Sequence, residues 1–367
     1  MIGAQRAVLA VAKPKLPSAD RVLPYLREID AARVYANHGP LATRLEARLA
    51  ESVRSERAES VCLAANATSA LTAALAALEL APGSLCMLPA WTFAASAHAV
   101  VNAGLVPWFV DVNDDGALTP EAARAYLDTA PFPVGAILAV SPFGAPVPAG
   151  AWCDVRNETG IPVVIDAAAA FDSTRATELV AVVSLHATKV LGVGEGAFVA
   201  SNDVEAVRAV RRRMNFGFAG TREARTPGLN AKMSEYAAAV GLAAVADWDE
   251  TRSAFQRVAT EYRHALRHVE HVRLQRGYGS AWVSATTIVR FANGRRDRVE
   301  RALAAAGIAT RRWWGEGAAT HAAFRTFPRT TLPMTEALGS STLGLPCWPD
   351  LPSDEIAHVA GVLAQHV

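Results

Sequence analysis

No stretch of this sequence stays apolar for the roughly 20 residues that a membrane-spanning helix requires, although hydrophobic residues make up 51% of it. The chain therefore reads as soluble. It also lacks a surplus of either charge. Lys and Arg number 36 against 35 Asp and Glu, a formal charge of +1, so no global field draws it to nucleic acid or an acidic bilayer. Cysteine is scarce. Cys62, Cys86, Cys153 and Cys347 stand far apart, with neither metal-ligand spacing nor a disulfide framework. Cys62 and Cys86 lie in apolar runs and read as core residues; a reducing compartment, the cytoplasm, fits that usage. There is no internal repeat and no low-complexity tract. Arg6 and the apolar run that follows it faintly resemble a signal peptide. That run is short and Lys13-Pro14-Lys15 follows at once, so these residues read as a loose N-terminal segment.

What the sequence does have is length and alternation. Its 367 residues suffice for one large domain and a smaller one. Residues 18–53 read as helical, broken at Tyr35-Ala36-Asn37-His38-Gly39-Pro40, and in the second helix Leu41, Leu45 and Leu49 share a face. Short apolar strands are expected at 61–64, 84–89, 106–110, 135–140, 162–166, 179–185 and 196–200. Helices are expected from Ala70 to Leu80, from Ala94 to Ala103, and around Val204, Val207 and Val210. Such alternation predicts an α/β fold, a mostly parallel sheet covered on both faces. Ligands then bind at the carboxyl ends of strands, where Asp166, Ser184 and the 66–69 turn fall.

Residues 218–230 lack periodicity and contain Gly220, Pro227 and Gly228, as a mobile or interface loop would. An alanine-rich helix is expected from Met233 to Asp247. From about Ser253 the pattern becomes helix, strand (Trp282 to Phe291), helix (Arg296 to Ala306), a loop with Trp313-Trp314, and a last helix from Pro352 to Val367. The domain expectation is thus a large α/β/α unit over 1–250, opened by a helical segment at 1–55, and a smaller α+β unit over 251–367.

The chemistry centres on Val183-Ser184-Leu185-His186-Ala187-Thr188-Lys189, closed by Gly192, Gly194 and Gly196. Apolar surroundings and close-packed backbone suit an amine held in a pocket, where desolvation disfavours the ammonium form and leaves a nucleophile; a solvated lysine in a turn is the alternative. Asp166 ends the preceding apolar strand. Thr68 and Ser69 read as caps of a helix whose small-residue approach, Ala64-Ala65-Asn66-Ala67, would let a phosphate reach backbone N–H groups. Lysine, buried aspartate and anion-ready helix start are the set that pyridoxal 5'-phosphate chemistry needs. Phe93 is placed to cover the ring face, with Trp91 as competitor.

These residues carry a resemblance. Ser184-Leu185-His186-Ala187-Thr188-Lys189 with Gly194-Glu195-Gly196, and Gly228-Leu229-Asn230-Ala231-Lys232-Met233-Ser234-Glu235, are similar to motifs of the DegT/DnrJ/EryC1/StrS sugar aminotransferases, fold type I of the pyridoxal phosphate enzymes. Asn66-Ala67-Thr68-Ser69-Ala70-Leu71, Pro89-Ala90-Trp91-Thr92-Phe93 and Asp166-Ala167-Ala168 resemble three more, in family order. The resemblance implies Lys189 as the Schiff-base lysine and proton carrier, Asp166 paired with the ring nitrogen, and Phe93 stacked on the ring. It implies a phosphate site of Ala67, Thr68 and Ser184, joined by Asn230 from a second subunit, and hence a homodimer with shared sites. The implied reaction moves an amino group, from a donor such as glutamate, to a keto carbon of a nucleotide-linked sugar.

The chain departs from that pattern in places. Ala169 stands where a ring-contacting Gln is frequent, and Lys232 stands where Arg is usual; an ammonium does not grip a diphosphate as a guanidinium fork does. His321 resembles a histidine at the active-site rim, and Arg311-Arg312 is a candidate diphosphate contact or a solvated pair. The tryptophans at 313 and 314 read as stacking surfaces or as packing between domains. Two rival readings keep the framework: a keto-cyclitol acceptor, or a non-catalytic sensor or partner subunit.

Overall fold

The computed structural model describes residues 8–55, 57–292 and 294–367. Two helices lead in, α1 (Ala19–Ala32) and α2 (Pro40–Ser52). Then follow β1 (Val61–Ala64), α3 (Ala67–Ala76), β2 (Leu85–Pro89), α4 (Ala94–Asn102), β3 (Val106–Val110), α5 (Pro120–Leu127), β4 (Val134–Val140) and α6 (Ala149–Thr159). The run closes with β5 (Val163–Asp166), β6 (Val180–Ser184), β7 (Ala197–Ala200) and α7 (Val204–Met214). These strands form one sheet in the order β1-β7-β6-β5-β4-β2-β3, in which β7 alone runs antiparallel to its neighbours.

The strands are apolar on both faces because both faces are covered. Leu63, Ile137, Ile165 and Val183 pack on one side with Leu45 of α2, Trp152 of α6 and the C-terminal half of the chain. Cys62, Cys86, Leu138 and Val182 pack on the other with Leu71 of α3, Val100 of α4 and Val207 of α7. Cys62 and Cys86 are core residues whose thiols burial pushes up to about 12, which leaves them inert.

Beyond the sheet come α8 (Glu235–Ala246), α9 (Trp248–Leu266), β8 (Val272–Leu274), β9 (Thr287–Phe291), α10 (Arg296–Ala305), α11 (Pro333–Ser341), β10 (Thr342–Leu345) and α12 (Ser353–His366). Strands β10, β9 and β8 make a second, antiparallel sheet. The strand expected from Trp282 begins only at Thr287. Trp282 is instead buried against Tyr278, and the Val283 N–H donates to Asp172 Oδ2 at 2.9 Å, so that stretch has its backbone committed elsewhere. The sequence reading passes over β8, α11 and β10 as separate elements. For α11 the organiser is distant: Asp111, just past β3, accepts from the N–H groups of Met334 and Thr335 and from the Thr335 hydroxyl at 2.7–2.8 Å.

The N-terminal segment is not loose over its described part. Leu9 bonds Gly307 and Ala309 across a bridge to Ile308, and the Cys347 N–H donates to Val11 O, so residues 9–11 dock on the C-terminal half. Arg6 and Ala7 lie outside the described residues.

Glu235, last residue of the Met-Ser-Glu motif, caps α2. It is 1% exposed and accepts from the N–H groups of Leu41 and Ala42 at 2.8 and 2.9 Å. Those N–H groups open a helix and have no intrahelical acceptor. Glu235→Ala should therefore cost about 2–3 kcal/mol by stranding two buried donors, with Glu235→Gln between it and the parent. Denaturant unfolding measures this, and a loss below about 0.5 kcal/mol would contradict the capping role.

Candidate active site

Parallel pairing brings the key residues to one edge of the sheet. Asp166 ends β5 opposite Val182 of β6, and Ser184 ends β6 two residues further on. The loop after β6 is closed by its own backbone. Leu185 N–H donates to Gly196 O at 2.9 Å, Val193 N–H to Leu185 O at 2.7 Å, and Ala187 N–H to Gly194 O at 2.8 Å. Glycine is required here: Gly194 has φ +99°, and a Cβ at Gly192 would meet the Ala187 backbone at 3.0 Å.

Lys189 is presented by this loop. Its side chain is half-buried, and among the described residues its amine has no hydrogen bond or ion pair. Burial lowers its pKa from the ordinary lysine value, and the negative charge of Asp166 opposes that shift. The two groups are thus near enough to feel each other. Lys189 also opens onto a cleft lined by Lys13, Thr188, Phe255, Ala285 and Trp348, between the N-terminal segment and the C-terminal half.

Asp166 is 5% exposed. Burial raises its pKa, while three things hold it down: a hydrogen bond from Ser96 Oγ to Oδ2 (2.7 Å), one from Ala168 N–H to Oδ1 (3.1 Å), and the charge of Lys189. Ser96 Oγ in turn lies 2.7 Å from Thr92 Oγ1. Ser96 and Thr92 are absent from the sequence candidates. Their signal was two hydroxyls four residues apart around the start of α4, where helix spacing puts them on one side.

The helix start at α3 differs from expectation by its cap. Asn66 is the N-cap, accepting from the Ser69 N–H at 2.8 Å, and the helix begins at Ala67. Ala67 and Thr68 are its first two residues, and their N–H groups have no acceptor among the described residues. Two free donors at a positive helix end form a seat for an anion. Ser184 Oγ, buried at the end of β6, accepts from the His186 N–H at 3.2 Å.

Phe93 and Trp91 separate clearly. Phe93 is 58% exposed at the head of α4, whereas Trp91 is 2% exposed and sits edge-on to both Phe143 and Trp314. Trp314 stacks on Phe143 at 3.8 Å, and Trp313 lies beneath the Arg311 guanidinium at 4.8 Å. Trp314 therefore packs the C-terminal half onto the sheet.

His186 is held within its loop. Thr188 N–H donates to Nδ1 at 3.2 Å, which leaves the neutral ring its proton on Nε2, 3.6 Å from Glu195. His321 is exposed, in a segment fixed by Ala318 N–H donating to Ala90 O at 2.8 Å, close to the start of α4. Arg312 is tied to Glu300 and Asp297, while exposed Arg311 has no carboxylate partner among the described residues. Asn230 is exposed and accepts from Lys232 Nζ at 2.7 Å; that ammonium also lies 4.3 Å above the Phe216 ring. No hydrogen bond joins Asn230 or Lys232 to Ala67, Thr68 or Lys189 of the same chain.

A free amine, a buried carboxylate, two unpaired N–H groups and an uncovered aromatic ring suit a flat, anionic heterocycle that carries an aldehyde, and pyridoxal 5'-phosphate fits that description. The electrostatics give a test without any ligand. In the apo protein, pH-dependent amine labelling read by mass spectrometry should show Lys189 titrating below the ordinary lysine range. Asp166→Asn, by deleting the charge that supports the ammonium, should move it lower still; an upward shift would contradict the coupling.

Known proteins are similar to this chain along most of its length. The profile of the DegT/DnrJ/EryC1/StrS aminotransferase family matches residues 18–364. Protein Rv3402c of Mycobacterium tuberculosis (strain ATCC 25618 / H37Rv) is 31% identical over 271 residues, 69% of this chain; the match spans 64% of that protein's length. A dTDP-4-amino-4,6-dideoxy-D-glucose transaminase of Shigella dysenteriae is 31% identical over 280 residues, covering 72% of each chain. Among solved structures, DesI in the presence of its TDP-sugar product superposes with a TM-score of 0.88 at 28% identity, over 99% of this chain and 93% of that one. By the extent of these matches, and by the residues gathered at the sheet edge, the chain belongs to the DegT/DnrJ/EryC1/StrS aminotransferase family.

Proposed function

We propose that the protein is a pyridoxal 5'-phosphate-dependent aminotransferase. It takes an amino group from a donor such as glutamate and delivers it to a keto carbon of a nucleotide-linked sugar. The observation that carries this reading is Lys189, an unpartnered amine with a lowered pKa, facing the field of the buried carboxylate Asp166. When bound, the cofactor supplies an aldehyde that exchanges amino groups and a ring that accepts electron density.

The chain's own residues divide the remaining work. Ala67 and Thr68 offer N–H groups and the positive end of α3 to the phosphate, with the Ser184 hydroxyl beside them. Asp166, whose charged form is supported against burial by Ser96, the Ala168 N–H and Lys189, would hold a proton on the ring nitrogen. Phe93 covers one face of the ring. Lys189, less basic than a solvated lysine, would be nucleophilic toward the aldehyde when neutral, and its amine would carry the proton of the 1,3-shift between the amino-bearing substrate carbon and the carbon of that aldehyde. The docked N-terminal segment lines one side of the cleft at Lys189.

Arg311 and His321 are the proposed substrate residues on this chain, since both are exposed on the segment that runs past Ala90. The functional unit in this reading is a homodimer. Asn230 and Lys232 project from an exposed loop and reach the partner's phosphate and substrate sites, which accounts for their lack of partners at their own. The chain divides near residue 250, in the first turn of α9, into a large cofactor-binding unit and a smaller one. A cytoplasmic enzyme accords with the finding that no helix among the described residues is long and apolar enough to cross a membrane.

The test is transamination of nucleotide ketosugars with glutamate by purified, yellow, cofactor-loaded protein. Lys189→Ala should lose the colour and at least about 10³-fold of the rate. Asp166→Asn should still take up cofactor at saturating concentration but lose about 100-fold in turnover. Transamination retained in Lys189→Ala sinks the mechanism. Turnover with a keto-cyclitol and none with any nucleotide sugar would replace the acceptor, and no turnover with any keto acceptor would favour the non-catalytic reading.

A further inference from the structure

Two hydroxyls behind Asp166 form a chain that the reaction as described does not use. Ser96 is fully buried and Thr92 is 1% exposed, both among apolar neighbours. Ser96 Oγ lies 2.7 Å from Asp166 Oδ2, and Thr92 Oγ1 lies 2.7 Å from Ser96 Oγ. An ionised carboxylate only accepts, so Ser96 must donate its one proton to Asp166. Thr92 must then donate to Ser96, since the Ser96 proton is engaged. With Asp166 ionised both bonds run toward it, and each O–H strengthens the next as an acceptor or donor in a low-dielectric interior.

We infer that Thr92 and Ser96 are positioning residues, a two-hydroxyl relay that orients the Asp166 carboxylate and keeps it charged for the ring nitrogen of the cofactor. The inference rests on the aminotransferase reading and deepens it. The geometry favours this role over simple core filling. Both hydroxyls lie at the start of α4, beside Phe93, so the element that presents the stacking ring also presents the donor to the carboxylate. Ala168 N–H engages Oδ1, and the relay engages Oδ2 from the other side, which locks the carboxylate plane. The groups around Asp166 are then few. Lys189 supplies the opposing charge, Ser96 and Ala168 supply hydrogen bonds, and no other ionisable group among the described residues shifts it.

Loss of the relay leaves burial less opposed, so the Asp166 proton would bind more readily and the carboxylate would lose its charge at higher pH. The experiment measures cofactor affinity against pH on the full-length protein, by equilibrium titration of absorbance, together with thermal melting of the apo form. The ionisations of the cofactor phosphate and of Lys189 are common to all variants, so only the difference between variants is read. Ser96→Ala is expected to weaken affinity at neutral pH by about tenfold and to shift the acid limb to higher pH. Thr92→Val, nearly isosteric, should do the same by about threefold, and Thr92→Ser should restore the parent behaviour. In an Asp166→Asn background neither change should add anything, because no carboxylate remains to be held charged.

An acid limb unmoved in folded Ser96→Ala or Thr92→Val overturns the relay, as does a full additional loss in the Asp166→Asn background. Should Ser96→Ala not fold, the Thr92→Val and Thr92→Ser pair decides alone. Parent protein that binds no cofactor overturns the underlying aminotransferase reading; parent binding with unchanged variants overturns only the relay.

Discussion

The structure depends on one electrostatic constraint, an amine and a carboxylate at one edge of the sheet, within reach of each other's charge. Burial by itself disfavours both charges, lowering the basicity of Lys189 and raising the pKa of Asp166. Each charge partly offsets the other's penalty. The balance matters for the chemistry proposed. A fully charged lysine would be no nucleophile, and a neutral aspartic acid could not hold a proton on a neighbouring ring.

Other features of the fold serve to keep that pair in place. Parallel strands β5 and β6 bring Asp166 and Ser184 to one edge of the sheet, and the self-bonded loop after β6 returns Lys189 to the same edge. The start of α3 brings free N–H groups, while the start of α4 brings Phe93 and the hydroxyls behind Asp166. The C-terminal half is fastened to this edge by aromatic stacking of Trp314 on Phe143, by the Asp111 cap on α11, and by Ala318 bonded to Ala90. Polar groups far from the chemistry are used structurally: Glu235 caps α2, which ties the Met-Ser-Glu run to the N-terminal break around Gly39.

Much of this was legible in the residues. Each strand of the main sheet announced itself as a short, nearly unbroken apolar run, the signature of a strand covered on both faces, and the expected bounds fall within about two residues of those found. Asp166 drew attention as a carboxylate ending an apolar strand, and Lys189 as a lysine in a glycine-closed turn, where a solvated lysine was the alternative. What could not be read depended on distant partners. The α11 helix begins at Pro333 but is capped from Asp111, more than 200 residues away. Trp282 looked like strand and was drawn instead into packing with Tyr278. The N-cap at Asn66 rather than Thr68 is a local choice between adjacent polar residues that composition does not decide. Ser96 resembled any small helical residue until the Asp166 side chain was placed against it.

The central claim is that Lys189 is the amine that engages the cofactor. Cofactor-loaded protein is treated with borohydride, digested, and its peptides are mapped by mass spectrometry for a stable pyridoxyl adduct. The account predicts one dominant adduct, on Lys189, that Lys189→Arg lacks. An adduct spread over exposed lysines such as Lys13 and Lys15, with Lys189 unmodified, would contradict it.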